Sequence, residues 1–338
     1  MDRLKVGVIG AGYWGPNIIR NLYEIPEADL RMVVDLRQER LDHIKERYPE
    51  VAVTKEVEDL LASDVEAVAI CTPVSTHYPL AMDCLRAGKH VLVEKPLTRD
   101  SQEARQMIAL GHEKNRRIMA GHTFVYNPAV RALKEIIDRG EIGEIYYVNS
   151  TRVNLGLYQP DVNVIWDLAP HDVSILLYVL GMEPVAASAR GGKFAKAGVH
   201  DVAYLTLYFP NGIMADMRVS WLDPCKIRSI TIVGSKKMIV YDDIEPNDKI
   251  KIYDKGVDVH PYTDTYEEFH LAYRYGDITV YPIEWQEPLK LECLEFIRSV
   301  RTGTPTCSDG EDGLKVVEIL EAAQKSLVNG HMKEPVWF

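Results

Sequence analysis

Residues 4–35 read LKVGVIGAGYWGPNIIRNLYEIPEADLRMVVD. The opening run, Leu4 to Ile9, is short, apolar and rich in Val and Ile, the composition of a strand buried on both faces of a parallel sheet. It breaks into Gly10, Gly12 and Gly15, spaced G-x-G-x-x-G, with Tyr13 and Trp14 between them. In such a loop the first glycine permits the tight turn, the second lets backbone approach a pyrophosphate, and the third lets the following helix pack closely on the strand. The N–H groups that open that helix attract an anion. A second apolar run, Leu30 to Val34, ends in Asp35, where an acid is expected to hydrogen-bond a ribose 2′-hydroxyl. Strand before, helical pattern after and an acid closing the next strand together predict dinucleotide binding, although Asp35 alone also reads as a strand-end turn residue. A carboxylate here repels a 2′-phosphate and favours NAD. Arg37, two residues on, could reach such a phosphate, which keeps NADP open.

Outward from this stretch, strand and helix keep alternating. Helical spacing covers Arg37 to Tyr48 and Val57 to Leu61, with a short strand at Val51 to Thr54. The strand Ala67 to Cys71 runs into Thr72 and Pro73, and proline stops the ladder. Ligands of doubly wound sheets lie at the C-terminal ends of strands, which puts Thr72, Pro73 and His77 near the dinucleotide. His77 reads equally well as an ordinary residue at a helix N-terminus. Tyr78 to Ala87 forms a helix closed by Gly88; His90 to Val93 is a strand that delivers Glu94, Lys95 and Pro96 to its carboxyl edge. A helix at Ser101 to Lys114 and a strand at Ile118 to Ala120 complete a first domain over residues 1–122.

Past Asn127 and Pro128 the pattern changes. After a helix at Ala129 to Asp138, β-rich runs follow one another at Tyr146 to Val153, Val185 to Ala189, Val202 to Phe209, Ile213 to Trp221, Ser229 to Val233 and Lys237 to Tyr241. Asn211-Gly212 marks a hairpin between two of them. Helices return at Pro288 to Thr302 and Asp309 to Val328. The expectation is an α/β protein: an N-terminal doubly wound parallel sheet, then an α+β domain over residues 123–338 with a large open, mainly antiparallel sheet. The free face of that sheet could serve self-association.

A chain of 338 residues is long for one core, which agrees with two domains. With 39 Lys and Arg against 50 Asp and Glu, a formal charge of -11 opposes attraction to nucleic acid or an anionic membrane. Five scattered cysteines without C-x-x-C spacing argue against a disulfide framework or a zinc site, and no metal site is expected. The first strand begins within a few residues of Met1, leaving no room for a signal peptide, and no apolar run reaches membrane-spanning length. A soluble, cytoplasmic protein with reduced thiols is expected.

Two places could carry chemistry. Lys95, at the carboxyl end of a buried strand beside the expected nicotinamide position, can stabilise negative charge developing on a substrate oxygen; Glu94 could pair with it or face solvent. In the run Trp166-Asp167-Leu168-Ala169-Pro170-His171-Asp172, a helix starting at Asp167 would set Asp167 and His171 four apart on one face. Asp167 could instead cap that helix. A histidine in the first turn feels the positive end of the helix dipole, which favours the neutral imidazole that a general base needs.

Taken together, GAGYWG, Glu94-Lys95-Pro96, the Asp167-x-x-x-His171 pair and the closing SDGEDGLKVVEILEAAQKS resemble the Gfo/Idh/MocA oxidoreductases over essentially the whole chain. The resemblance implies a Rossmann domain, NAD(P)-dependent oxidation or reduction of sugars, cyclitols or nucleotide sugars, and homodimers or homotetramers joined through the C-terminal sheet. It carries Lys95 over as the EKP lysine and Asp167 with His171 as an acid/base pair. Many relatives place an aspartate three residues after the histidine, where this chain has Ser174, with Asp172 one residue after it. This opens the question of which carboxylate orients His171, and Asp167 is the choice made. Tyr126, Arg152, Asn154, Gln159, Asn163 and Trp166 offer cationic, amide and stacking groups suited to a sugar, or serve only as strand-face residues. The stretch from Arg152 to His171 is similar to that of UDP-N-acetylglucosamine-type and UDP-N-acetylglucosaminuronate-type 3-dehydrogenases of surface-polysaccharide pathways. Free-sugar or inositol oxidation is the alternative, and a nonenzymatic dinucleotide-binding regulator the third.

Overall fold

The computed structural model describes residues 3–156, 158, 162–259 and 271–338. Its first sheet is built from β1 (Leu4–Ile9), β2 (Ala28–Val34), β3 (Ala52–Thr54), β4 (Ala67–Ile70), β5 (His90–Glu94) and β6 (Ile118–Gly121). These strands are all parallel, in the order β3-β2-β1-β4-β5-β6. The crossovers are α1 (Gly15–Glu24), α2 (Gln38–Arg47), α3 (Val57–Ala62), α4 (His77–Arg86) and α5 (Ser101–Lys114). Because a parallel sheet is covered on both sides, its strands carry apolar residues on both faces. Val6, Val8, Val33 and Leu92 pack on one side with Ile18 and Ile19 of α1. Ile9, Val34, Ile70, Val91 and Val93 pack on the other with Ala81 and Leu85 of α4 and Met107 of α5. The order reverses between β1 and β4, so a crevice opens there at the strand C-termini.

After α6 (Pro128–Asp138) the chain builds a nine-stranded sheet. It comprises β7 (Ile145–Val153), β8 (Ala186–Gly192), β9 (Val202–Tyr208), β10 (Met214–Ser220), β11 (Ile227–Gly234), β12 (Met238–Asp242), β13 (Ile250–Val259), β14 (Leu271–Tyr281) and β15 (Glu334–Pro335). Its order is β14-β13-β12-β11-β7-β10-β9-β8-β15, antiparallel throughout except where β7 lies parallel to β10. One face packs on α7 (Val164–Leu180) and α9 (Gly310–Val328), with Leu205, Met217 and Ile232 against Val173, Leu176 and Ile319. The other face leaves Tyr147, Tyr204 and Met214 exposed.

The sequence reading missed β13, β14 and β15. In β13 the alternation of Ile250 and Ile252 stops at Asp254, which takes the place of the next inward apolar residue. β14 is an edge strand whose Tyr273, Tyr275, Ile278 and Val280 are all exposed, so it shows no contrast between an inner and an outer face. β15 is two residues long.

The packing also crosses residue 122. Leu289, Cys293, Phe296 and Ile297 of α8 (Pro288–Thr302) join the core built by β1 and α1. Just before this helix, Glu287 pairs with Arg20 of α1 at 2.5 Å. Val317 of α9 enters the core on the opposite side of the first sheet.

Candidate active site

The carboxyl ends of the first sheet, α7 and the start of α8 enclose a cleft of about 1490 Å³. Pockets for a single drug-sized molecule hold about 300–1,000 Å³, so this one has room for a dinucleotide and a second small molecule.

At its base lies the glycine turn. Gly10 has φ +99°, and a Cβ there would stand 2.7 Å from the Cys71 carbonyl oxygen. Gly15 opens α1 so close to the turn that a Cβ would lie 2.0 Å from the Gly10 oxygen. No side chain caps α1; Pro16 has no N–H to offer and the Asn17 N–H donates to the Trp14 carbonyl at 2.9 Å, so an anion would meet the backbone of the glycine turn and the Gly15 N–H. Gly10, Gly12, Tyr13 and Trp14 all line the cleft. A cradle that side chains would fill, at the positive end of a helix, fits a dinucleotide pyrophosphate. Gly15→Ala must push this turn open, at a cost of about 1–3 kcal/mol by analogy with overpacked cores. It should weaken NAD binding about tenfold, as read by fluorescence titration.

Asp35 follows β2 and is buried. Its Oδ2 accepts from the Ala11 N–H at 2.8 Å and from Arg40 Nη1 at 3.1 Å, and its Oδ1 accepts from the Arg37 N–H at 2.9 Å. The carboxylate therefore braces the glycine loop. The Arg37 side chain is 63% exposed, and the cation that reaches this corner is Arg40, in the first turn of α2. Its signal in sequence was its position a helical turn beyond the acid. Thr72 and Pro73 line the cleft at the end of β4. The ring nitrogens of His77 face the carbonyl oxygens of Pro96 and Thr72 at 2.9 Å each, joining the loops that follow β4 and β5.

Glu94, at the end of β5, accepts from the Lys95 N–H at 3.2 Å. Burial pushes its carboxyl up to about 7, against the pull of the Lys95 charge. Near it sits Glu292 of α8, fully buried, accepting from Thr123 Oγ1 at 2.8 Å. Burial and then the Glu94 charge hold Glu292 well above the usual carboxylate range. The sequence reading passed over Glu292, although a glutamate flanked by Leu289, Cys293 and Phe296 on an apolar helix face is a detectable anomaly.

Lys95 Nζ donates to the Asp167 carbonyl oxygen at 2.7 Å and lies 3.3 Å from its Oδ1, each side chain being 18% exposed. Asp167 Oδ2 accepts from Trp221 Nε1 at 2.9 Å. Asn163, expected to touch substrate, instead caps α7, accepting from the N–H groups of Ile165 and Trp166, and donates to Gln324 at 2.7 Å. The helix thus starts three residues before Asp167, which is no cap, and His171 lies two turns inside rather than in the first turn. Pro170 removes one helical N–H nearby.

Asp167 does not reach His171: its oxygens serve Lys95 and Trp221, and among the described residues His171 Nδ1 has no hydrogen-bond partner. Asp172 does not orient it either, because its carboxylate is spent on Arg152, and Ser174 Oγ donates to the His171 carbonyl. The imidazole is held by the Phe124 ring, edge-on at 4.9 Å. Burial, followed by the charges of Lys95, Arg152 and Arg228, holds its pKa well below the histidine range. The imidazole is neutral through these causes rather than through a helix dipole.

Of the expected substrate contacts, Asn154 and Trp166 line the cleft. Tyr126 does not: it is fully buried, its hydroxyl 2.9 Å from Ser308 Oγ. Arg152 is also withdrawn, 4% exposed and bonded to both Asp172 oxygens. Gln159 lies outside the described residues. Phe124, Trp221, Arg228 and Trp285 line the cleft and were not singled out from sequence, because they sit on separate elements with no local pattern.

Residues 4–122 match the oxidoreductase family with an NAD-binding Rossmann fold, and residues 130–240 match the GFO/IDH/MocA C-terminal domain. The UDP-N-acetylglucosamine 3-dehydrogenase of Acidithiobacillus ferrooxidans is 28% identical, over 94% of this chain and 95% of its own. The myo-inositol 2-dehydrogenase of Thermotoga maritima is 27% identical, over 96% of each. The crystal structure of GenD2 from gentamicin A biosynthesis, in complex with NAD, superposes with a TM-score of 0.84 at 26% identity, covering 100% of this chain and 97% of that one.

Proposed function

The chain belongs to the GFO/IDH/MocA oxidoreductase family, and from that membership we propose that it moves a hydride between nicotinamide and a sugar hydroxyl carbon, C3 of a nucleotide-linked sugar. One observation carries the reading: Lys95 of the first domain meets Asp167 of α7 at 2.7 Å, one turn before His171, in a cleft that all three line. Bound NAD supplies the hydride acceptor. His171, kept neutral, takes the hydroxyl proton on a ring nitrogen. The Lys95 ammonium stabilises the oxygen as it becomes negative, and Asp167 with Trp221 fixes where that ammonium points. Asp35 favours NAD over NADP. The uncovered face of the nine-stranded sheet, with Tyr147, Tyr204 and Met214, supports pairing of copies as dimers or tetramers. Five free cysteines support a cytoplasmic setting, and among the described residues no helix is long and apolar enough to cross a membrane.

The inositol-oxidising relative, matched over as much of the chain, favours a second reading in which the substrate is an uncharged cyclitol. Incubation with NAD and UDP-N-acetylglucosamine, N-acetylglucosamine or myo-inositol, followed by cofactor absorbance, separates the two. Reduction with the nucleotide sugar alone is the expected result; reduction with inositol alone transfers the case to the second reading, and no reduction with any sugar or cyclitol rejects both. In the oxidation direction, a change in kcat/KM near pH 7 should trace to Glu94, whose carboxyl burial pushes up to about 7, and none at about 6.5, the ordinary histidine pKa, should trace to His171. An acid limb at about 6.5 that persists in Glu94→Gln and vanishes in His171→Ala would overturn the lowered His171 pKa while keeping His171 as the base.

A further inference from the structure

Two arginines flank Phe124, and their situations differ. Arg152 stands 4.5 Å from the ring centroid and is closed off by its paired contacts with Asp172. Arg228 of β11 stands 5.8 Å from the same centroid, is 34% exposed and lines the cleft. Its hydrogen bonding is nearly unused. One Nη1 contact reaches Asp243 Oδ2 at 3.4 Å, and among the described residues no other hydrogen bond is made by its guanidinium. Asp243 is itself engaged, accepting at Oδ1 from the Tyr241 hydroxyl at 3.0 Å and from Asn127 Nδ2 at 3.3 Å.

The position matters as much as the free donors. Phe124 touches His171 edge-on and carries Arg228 on the same ring, so a molecule presenting a hydroxyl to His171 extends within reach of Arg228. A guanidinium binds carboxylate and phosphate oxygens in pairs, and gains far less from the neutral hydroxyls of a polyol. Past Arg228 the Asp243 carbonyl accepts from Lys249 Nζ at 2.7 Å, and Lys249 Nζ lies 5.2 Å from the centroid of Trp285. Trp285 is exposed and lines the same cleft. Charge therefore leads from the His171 end to a flat indole.

We propose that Arg228 is the specificity-determining residue that receives an anionic oxygen of the substrate, with Trp285 stacking on the planar group attached beyond it. This rests on the oxidoreductase reading above and narrows its substrate to an acidic sugar derivative. The anion is either the diphosphate of a nucleotide-linked sugar or the carboxylate of a sugar acid.

The test is equilibrium titration of the NAD-loaded full chain with UDP, inorganic diphosphate, glucuronate and myo-inositol. Wild type is compared with Arg228→Met, Arg228→Lys and Trp285→Ala. Loss of charge-assisted hydrogen bonds should weaken the anion that is recognised by about ten- to a hundredfold in Arg228→Met, with partial recovery in Arg228→Lys. If UDP is that anion, Trp285→Ala should weaken UDP while leaving inorganic diphosphate unchanged; if glucuronate responds instead, the carboxylate is the source. Titration of each variant with NAD checks that the first domain is folded. If neither UDP nor glucuronate binds the wild-type chain, or if both bind Arg228→Met as tightly as wild type, the assignment is overturned. Binding needs no turnover. A chain that holds UDP through Arg228 yet reduces no NAD fails the hydride-transfer reading alone, and one that oxidises inositol while ignoring both anions overturns this assignment and the nucleotide-sugar substrate but leaves hydride transfer standing.

Discussion

Lys95→Met should lower kcat by about 10²–10⁴ while leaving NAD affinity within a few-fold of wild type. The size follows from the geometry: two of the three ammonium donors are directed at Asp167, at its carbonyl and its Oδ1, which leaves one for a substrate oxygen. Methionine keeps most of the unbranched apolar stem, one atom shorter, and removes the ammonium with its donors. Asp167 retains its bond from Trp221, so the cleft wall should stand. Lys95→Arg is the sharper comparison. It preserves the charge, but the longer, planar guanidinium cannot occupy the place of a compact ammonium whose third donor faces the substrate oxygen, so most of the loss should remain. Steady-state rates paired with a fluorescence titration of NAD decide the matter, and near-wild-type turnover in Lys95→Met would remove Lys95 from the chemistry.

Asp172→Ala should destabilise the fold by about 3–5 kcal/mol, because it leaves the Arg152 guanidinium buried and uncompensated. The two side chains are 4% and 3% exposed and joined at 2.8 and 3.1 Å, so water cannot replace the lost partner. The double replacement Arg152→Met with Asp172→Leu removes both charges and should recover most of the stability, since a buried pair and a well-packed apolar pair are often close in energy. Urea unfolding of the two variants against wild type measures both. If the single and double variants lost the same stability, packing rather than charge would be the cause. The result also bears on catalysis: Arg152 is one of the charges that keep His171 neutral, and it is already neutralised by a partner.

The first domain was readable because its signals are local. A buried parallel strand must be apolar on both faces, and a turn with a φ of +99° at Gly10 must be glycine, so each fact leaves its trace within a few adjacent residues. Lys95, Asp167 and His171 could be picked out because each ends a strand or lies in a distinctive helical run. What could not be read was who meets whom. The distance from Lys95 to Asp167 spans 72 positions along the chain, and Trp221 is 54 beyond Asp167. The expected Asp167 to His171 bond came from helical spacing and from the family resemblance, and tertiary partners took the carboxylate instead. Arg152 and Arg228 look alike in sequence. Only the strand register, which sets Arg152 opposite Arg228 on β7 and β11, puts both beside Phe124, and only Asp172 distinguishes the spent arginine from the available one.

The return of α8 to the first sheet has a consequence for how the molecule is made. Val8, Ile18 and Ile19 are synthesised early, yet part of their apolar cover, Leu289, Cys293 and Phe296, leaves the ribosome only after eight strands of the nine-stranded sheet. The nucleotide-binding half is thus begun first and completed only near the end of the chain. During synthesis its uncovered flank must be shielded by transient contacts or a chaperone, and the clasp between Arg20 and Glu287 can close only when both halves have taken shape.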